Sequence, residues 1–69
     1  MEKILIDWLK DYTETDVDCS TKFQDLNFDI FDESVVVDFV YQNFNININN
    51  KNEWYETVGD LIDYIAACT

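Results

Sequence analysis

The chain has 69 residues and contains no arginine, no histidine and no proline, with a single glycine and only four lysines. Without histidine, and with no nucleophile paired to a base, there is little material for general acid–base or covalent catalysis. The chain therefore reads as a non-enzyme. Its two cysteines, Cys19 and Cys68, fit no metal-ligand spacing, and no secretory leader is evident to imply an oxidising compartment. They read as reduced thiols of a cytoplasmic protein. Cys19 has only Lys22 as a nearby cation, which argues against an activated thiolate. No apolar run approaches the roughly 20 residues needed to span a bilayer. Nothing resembling a repeat or interdomain linker interrupts the sequence, so residues 1–69 are expected to form one domain.

What the chain has in excess is negative charge. Fifteen acidic residues against four lysines give a formal charge of -11. Such a field repels nucleic-acid phosphates and anionic lipid headgroups and steers basic protein surfaces into encounter. It points to a protein partner with a positive patch, beside the plainer role of keeping a small domain in solution. A domain this small buries only about 60% of the surface of its unfolded chain. Five Phe, four Tyr and two Trp offset that shortage, because each ring buries a large apolar area.

Along the chain, Ile4, Leu5, Trp8, Leu9 and Tyr12 recur at helical spacing and predict an amphipathic helix from Lys3 to about Thr13. Glu14 to Thr21 holds Thr, Asp, Cys and Ser with only Val17 apolar, a loop composition. Phe23, Leu26 and Phe28 are expected to return from it to the core. Asp29 reads as the N-cap of a second helix running from Ile30 to about Asn43. Val35, Val36, Val37, Phe39, Val40 and Tyr41 favour strand by propensity. However, no turn sequence could fold this run back on Phe44, Ile46 and Ile48, and Val36, Val37, Val40 and Phe44 also fit a helical stripe. The asparagine-rich stretch from Asn43 to Asn52 reads as an extended connector anchored by Ile46 and Ile48. A short helical turn over Glu53 to Glu56 would bring Trp54 to the core. Thr57 and Asp60 form a capping pair ahead of Val58, Leu61, Ile62 and Ile65, predicting a last helix that ends near Ala67. These elements predict an all-α fold, a small antiparallel bundle of three to four helices.

Two stretches resemble an acyl carrier protein. Asp25-Leu26-Asn27-Phe28-Asp29-Ile30-Phe31-Asp32 is similar to that family's Asp-Leu-Gly-x-Asp-Ser-Leu-Asp, and Thr57-Val58-Gly59-Asp60-Leu61-Ile62-Asp63-Tyr64-Ile65 to its final helix. Phe44-Asn45-Ile46-Asn47-Ile48 falls where the family has Phe-Asp-x-x-Ile, with no gap from Asp25 to Ile48. The resemblance implies the acyl-carrier bundle and docking to enzymes of acyl or thioester metabolism. It also implies a phosphopantetheine arm on the serine after the Asp, but Ile30 stands there and has no hydroxyl. Asn27 replaces the motif glycine, and asparagine tolerates left-handed backbone better than most residues. Phe31 replaces leucine and stays apolar.

The chain thus reads as an acyl-carrier-like acidic module without the prosthetic group and without another cofactor. Asp29, Phe31, Asp32, Glu33, Val35, Asp38 and Phe39 are the candidate partner-binding residues: an acidic second helix with an apolar centre if Val35 and Phe39 face outward. One alternative keeps the carrier function and moves the attachment to Ser34, one turn inside the helix. Another is an acidic immunity or inhibitor protein that neutralises a basic toxin or nuclease by charge-steered binding. Asp16, Asp18 and Ser20 mimic the start of a calcium loop, but Thr21 replaces the required glycine and Asn27 the closing glutamate, so no metal site is expected.

Overall fold

A computed structural model describes residues 1–48 and 54–68. Helix α1 spans Glu2–Thr13, a single 3-10 turn covers Phe23–Leu26, α2 spans Ile30–Phe44 and α3 spans Val58–Cys68. The described residues contain no strand, only an isolated antiparallel bridge between Lys22 and Thr57. The described residues form an all-α fold with three helices, none of them long and apolar enough to cross a membrane.

Each helix starts and stops for a local reason. In α1, Glu14 adopts the left-handed conformation just past the last turn, where it ends the helix. Asp29 caps α2: its Oδ1 accepts the amides of Phe31 at 2.9 Å and Asp32 at 3.0 Å. The Asp32 carboxylate accepts the Asp29 amide at 3.1 Å, closing a reciprocal capping box. At the far end Asn45 turns left-handed and donates its amide to the Tyr41 carbonyl. Helix α3 opens on the same device, with the Thr57 amide donated to Asp60 and the Asp60 amide to the Thr57 hydroxyl. The expected Lys3, Asn43 and Ala67 boundaries therefore shift by one residue each.

The β-branched run of α2 is helical because burial outweighs propensity. Val36 and Val40, four residues apart, are fully enclosed. They join Leu5 and Leu9 of α1, Val58, Leu61, Ile62 and Ile65 of α3, and the loop residues Val17, Phe23, Ile46 and Ile48 in one core. Ile46 and Ile48 anchor the connector as expected. The remainder of that connector, from Asn49 to Asn52, and Glu53 lie outside the described residues, and Trp54 to Glu56 carry no helix.

Aromatic contacts tie the helices to the loops. Phe44 packs on Phe39, Phe39 stacks on Trp8 at 4.3 Å, and Trp8 stacks on Tyr12. From Tyr12 the run continues through Phe28 to Phe23 and Trp54, and then through Tyr55 to Tyr64. Phe31 and Tyr41 are the aromatic side chains outside this run, 77% and 52% exposed. The α1 stripe is narrower than its spacing predicts. Leu5 and Leu9 are enclosed and Trp8 half-buried, whereas Ile4 and Tyr12 stand at its exposed margins.

The long segment between α1 and α2 is held by backbone bonds to the start of α3. Phe23 donates its amide to the Glu56 carbonyl at 3.0 Å, Val58 to Thr21 at 2.9 Å, and Gly59 to Cys19 at 2.8 Å. Gly59 is needed at this crossing, since a Cβ there would sit 2.8 Å from the Cys19 carbonyl oxygen. Its role is close approach and not an unusual dihedral angle.

Candidate docking surface

The start of α2 is built as a rigid, capped backbone that carries unburied apolar side chains. Ile30 and Phe31, the first two residues after the cap, are 71% and 77% exposed. Val35, one turn on, is exposed at 39%. Large apolar residues exposed side by side cost solvation free energy, and a contiguous group of them marks an interaction surface more often than a solitary one does. The capping box satisfies the Phe31 and Asp32 amides and so holds the backbone of this turn against fraying.

Carboxylates surround these residues. Asp29, Asp32, Glu33 and Asp38 all lie on α2 or at its cap, and α2 carries no basic residue. The positive end of the helix dipole favours the first three. Asp32 is further fixed by the Tyr12 hydroxyl, which donates to its Oδ1 at 2.6 Å. That bond and the Asp29 amide hold the Asp32 carboxyl below the usual carboxylate range, and the same bond pushes the Tyr12 phenol up. The link pins the exposed side of α1 to the first turn of α2. Among the described residues the ion pair is Lys3 to Asp7, at 2.7 Å on α1, and no described lysine pairs with an acid of α2.

The candidate residues divide as follows. Asp29, Phe31, Asp32, Glu33 and Val35 come together over the first turns, and Asp38 is exposed further along the same helix. Phe39 is turned inward, half-buried and stacked on Trp8, because it takes the α2 position that covers the α1 aromatic. Ile30, in the motif's serine position, supplies exposed apolar area in its place. Ser34 donates its hydroxyl to the Ile30 carbonyl at 3.1 Å, the back-bond of a serine inside a helix.

The Asp18 region is a turn. Asp18 Oδ1 accepts the Ser20 amide at 2.9 Å and the Ser20 hydroxyl at 2.7 Å. Among the described residues no group of three or more His, Cys, Asp or Glu is placed to hold a metal ion. The Cys19 thiol is exposed, and partial desolvation together with the Glu2 carboxylate pushes it up, the direction opposite to an activated nucleophile.

A search of family models, of characterised proteins and of solved structures finds no match to this chain.

Proposed function

We propose that this chain is a docking module, an acyl-carrier-like antiparallel bundle without the attachment serine, that binds a basic surface on a partner enzyme of acyl or thioester metabolism through the start of α2. The observation that carries the reading is the pair Ile30 and Phe31, 71% and 77% exposed on a capped helix start and bordered by Asp29, Asp32 and Glu33. An apolar centre with a charged margin is the arrangement of a recognition site: the charges steer the encounter and the desolvated centre supplies most of the affinity. Two further features support the carrier-like part. Asn27, at the position of the motif glycine, adopts φ 58° and ψ 37°, which that glycine would adopt without strain. Asp29 and Asp32 make the capping box that the motif's paired aspartates can form.

The test is affinity capture from the source cell with the parent chain and with Phe31→Asp. Recovery of an acyl-metabolism enzyme by the parent, and its loss with the variant, is the expected result. Recovery of one basic toxin or nuclease by the same surface would replace the partner class with that of an inhibitor. Co-expression with a phosphopantetheinyl transferase followed by intact-mass measurement gives the parent mass. A gain of one phosphopantetheine, mapped to Ser34, would overturn the reading in favour of a working carrier.

A further inference from the structure

Beside the docking surface lies a groove of about 560 Å³, formed where the Phe23–Leu26 turn, the first turns of α2 and the segment before α3 meet. Phe23, Phe28, Trp54 and Tyr55 line it, together with the acidic residues Glu33 and Glu56. The rings stand across one another: Phe23 and Trp54 meet at 69°, and Trp54 and Tyr55 at 73°. Phe23 is enclosed, so the ring surface open to a guest is that of the half-buried Phe28, Trp54 and Tyr55, and aromatic faces attract cations. The Trp54 indole N–H is buried without an acceptor, so the groove offers a guest ring surface and two acidic residues but not that donor.

We propose that this groove seats an arginine side chain of the partner that docks on α2. The proposal rests on the reading of α2 as a docking surface, and Glu33, in the first turn of α2, belongs to both features. A wholly aliphatic guest would cover Glu33 and Glu56 without pairing them, at a desolvation cost. A guanidinium removes that cost. It is planar, stacks on aromatic faces, is more weakly hydrated than an ammonium and pairs with carboxylates through its fixed fork of donors. The methylene stem of arginine has apolar walls to lie against. Charge complementarity extends beyond the groove, since the whole chain carries -11. Lys22 also lines the groove; its side chain is exposed, and its flexible stem lets the ammonium move into solvent when a cation enters. If Lys22 instead held an anionic guest, the ligand would be an apolar carboxylate, and the test separates the two.

The experiment needs no partner. The intact ¹⁵N-labelled chain is titrated with N-acetylarginine N-methylamide while the Trp54 indole and the Glu33 and Glu56 amide resonances are followed. The neutral citrulline analogue, sodium decanoate and sodium chloride at matched ionic strength are the comparisons. A saturable shift centred on Trp54 is expected with the arginine probe, with the citrulline analogue binding about tenfold more weakly. A Glu33→Gln, Glu56→Gln double variant, its helix content checked by circular dichroism, should lose a similar factor. The proposal is overturned if the arginine probe gives no saturable shift, if citrulline or decanoate shifts the same resonances as strongly, or if the Asp60 and Asp63 amides respond equally. A partner that still binds through Phe31 while the groove ignores arginine would leave the docking reading standing, so the two can fail separately.

Discussion

Helices α2 and α3 begin with the same device and put it to opposite ends. Asp29 with Asp32, and Thr57 with Asp60, each close a reciprocal box over the first turn. After the first box come Ile30 and Phe31, both exposed; after the second come Val58, fully enclosed, and Gly59, pressed against the Cys19 backbone. A cap fixes where a helix starts and how its backbone is held. The two residues that follow decide whether that start is packed into the protein or presented to another molecule.

The largest separation between the two starts is expected from truncating an apolar side chain at each. Leu61 lies in the first turns of α3 and is fully enclosed. Leu61→Ala should cost about 2–5 kcal/mol, much of the stability available to so small a domain. Phe31→Ala should stay within about 0.5 kcal/mol of the parent, since little area is lost and alanine is a better helix former. Urea unfolding measures both. A loss above about 1 kcal/mol for Phe31→Ala would mean that the ring is packed in solution and would remove the docking surface.

At the second helical position the residues are Gly59 and Phe31, so one substitution can be compared directly. Gly59→Ala gains up to about 1 kcal/mol of helix propensity. The added Cβ, however, meets the Cys19 carbonyl oxygen at 2.8 Å, the same oxygen that accepts the Gly59 amide. Overpacking against backbone costs about 1–3 kcal/mol, and the bond to Cys19 weakens with it. The net expectation is a loss of about 1–2 kcal/mol, or roughly 4–16 °C in Tm for a domain of this size. An unchanged or higher Tm would show that the Cys19 crossing gives way freely.

The caps themselves should behave alike: Asp29→Ala and Thr57→Ala are each expected to cost about 1 kcal/mol. The α2 box also carries a pH response through Asp32. The Asp32 carboxyl is held low by the Tyr12 hydroxyl and then by the Asp29 amide. A depressed folded-state pKa means stabilisation that is complete above the unfolded value and lost as pH falls through the folded one. The Asp32 side-chain carbon resonance should therefore titrate at lower pH in the folded chain than in urea. Tyr12→Phe should move its midpoint back up, and coincident folded and unfolded midpoints would remove the Tyr12 link.

The helix boundaries were legible in the sequence because caps and stops are local chemistry. Asp29 before the apolar run and Thr57 three residues before Asp60 each act within one turn. Glu14 to Thr21 was legible only as a loop, and Phe23, Leu26 and Phe28 only as returns to the core. The bonds of this segment to residues 56–59 join partners far apart in sequence, and neither its 3-10 turn nor the pairing of Lys22 with Thr57 leaves a periodic trace. The same limit explains Gly59, whose role depends on where Cys19 arrives, and Phe39, whose neighbour Trp8 belongs to another helix. For the candidate site the acidic residues were legible from their clustering at the helix start, and Phe31 only from the resemblance to the carrier motif. Ile30 was not legible, because exposure of an apolar residue is a property of the packed molecule.

Charge provides the smallest test per residue and bears on the same comparison. The chain carries -11, and α2 and α3 contain no lysine, whereas α1 contains Lys3 and Lys10. Repulsion among fifteen carboxylates confined to one small domain opposes folding, and salt screens it, so Tm at neutral pH should rise with added sodium chloride. Lys3 and Asp7 are exposed, where solvent and salt leave an ion pair little net worth, so the repulsive term sets the sign. Asp38 is exposed on α2, and Asp38→Lys changes the net charge by two, which should flatten the salt dependence. Lys10→Glu on α1 changes it by the same amount in the other direction and should steepen it. If both reversals leave the slope unchanged, the carboxylates are neutralised locally, for instance by bound cations, and the field that the docking reading assigns to α2 is absent.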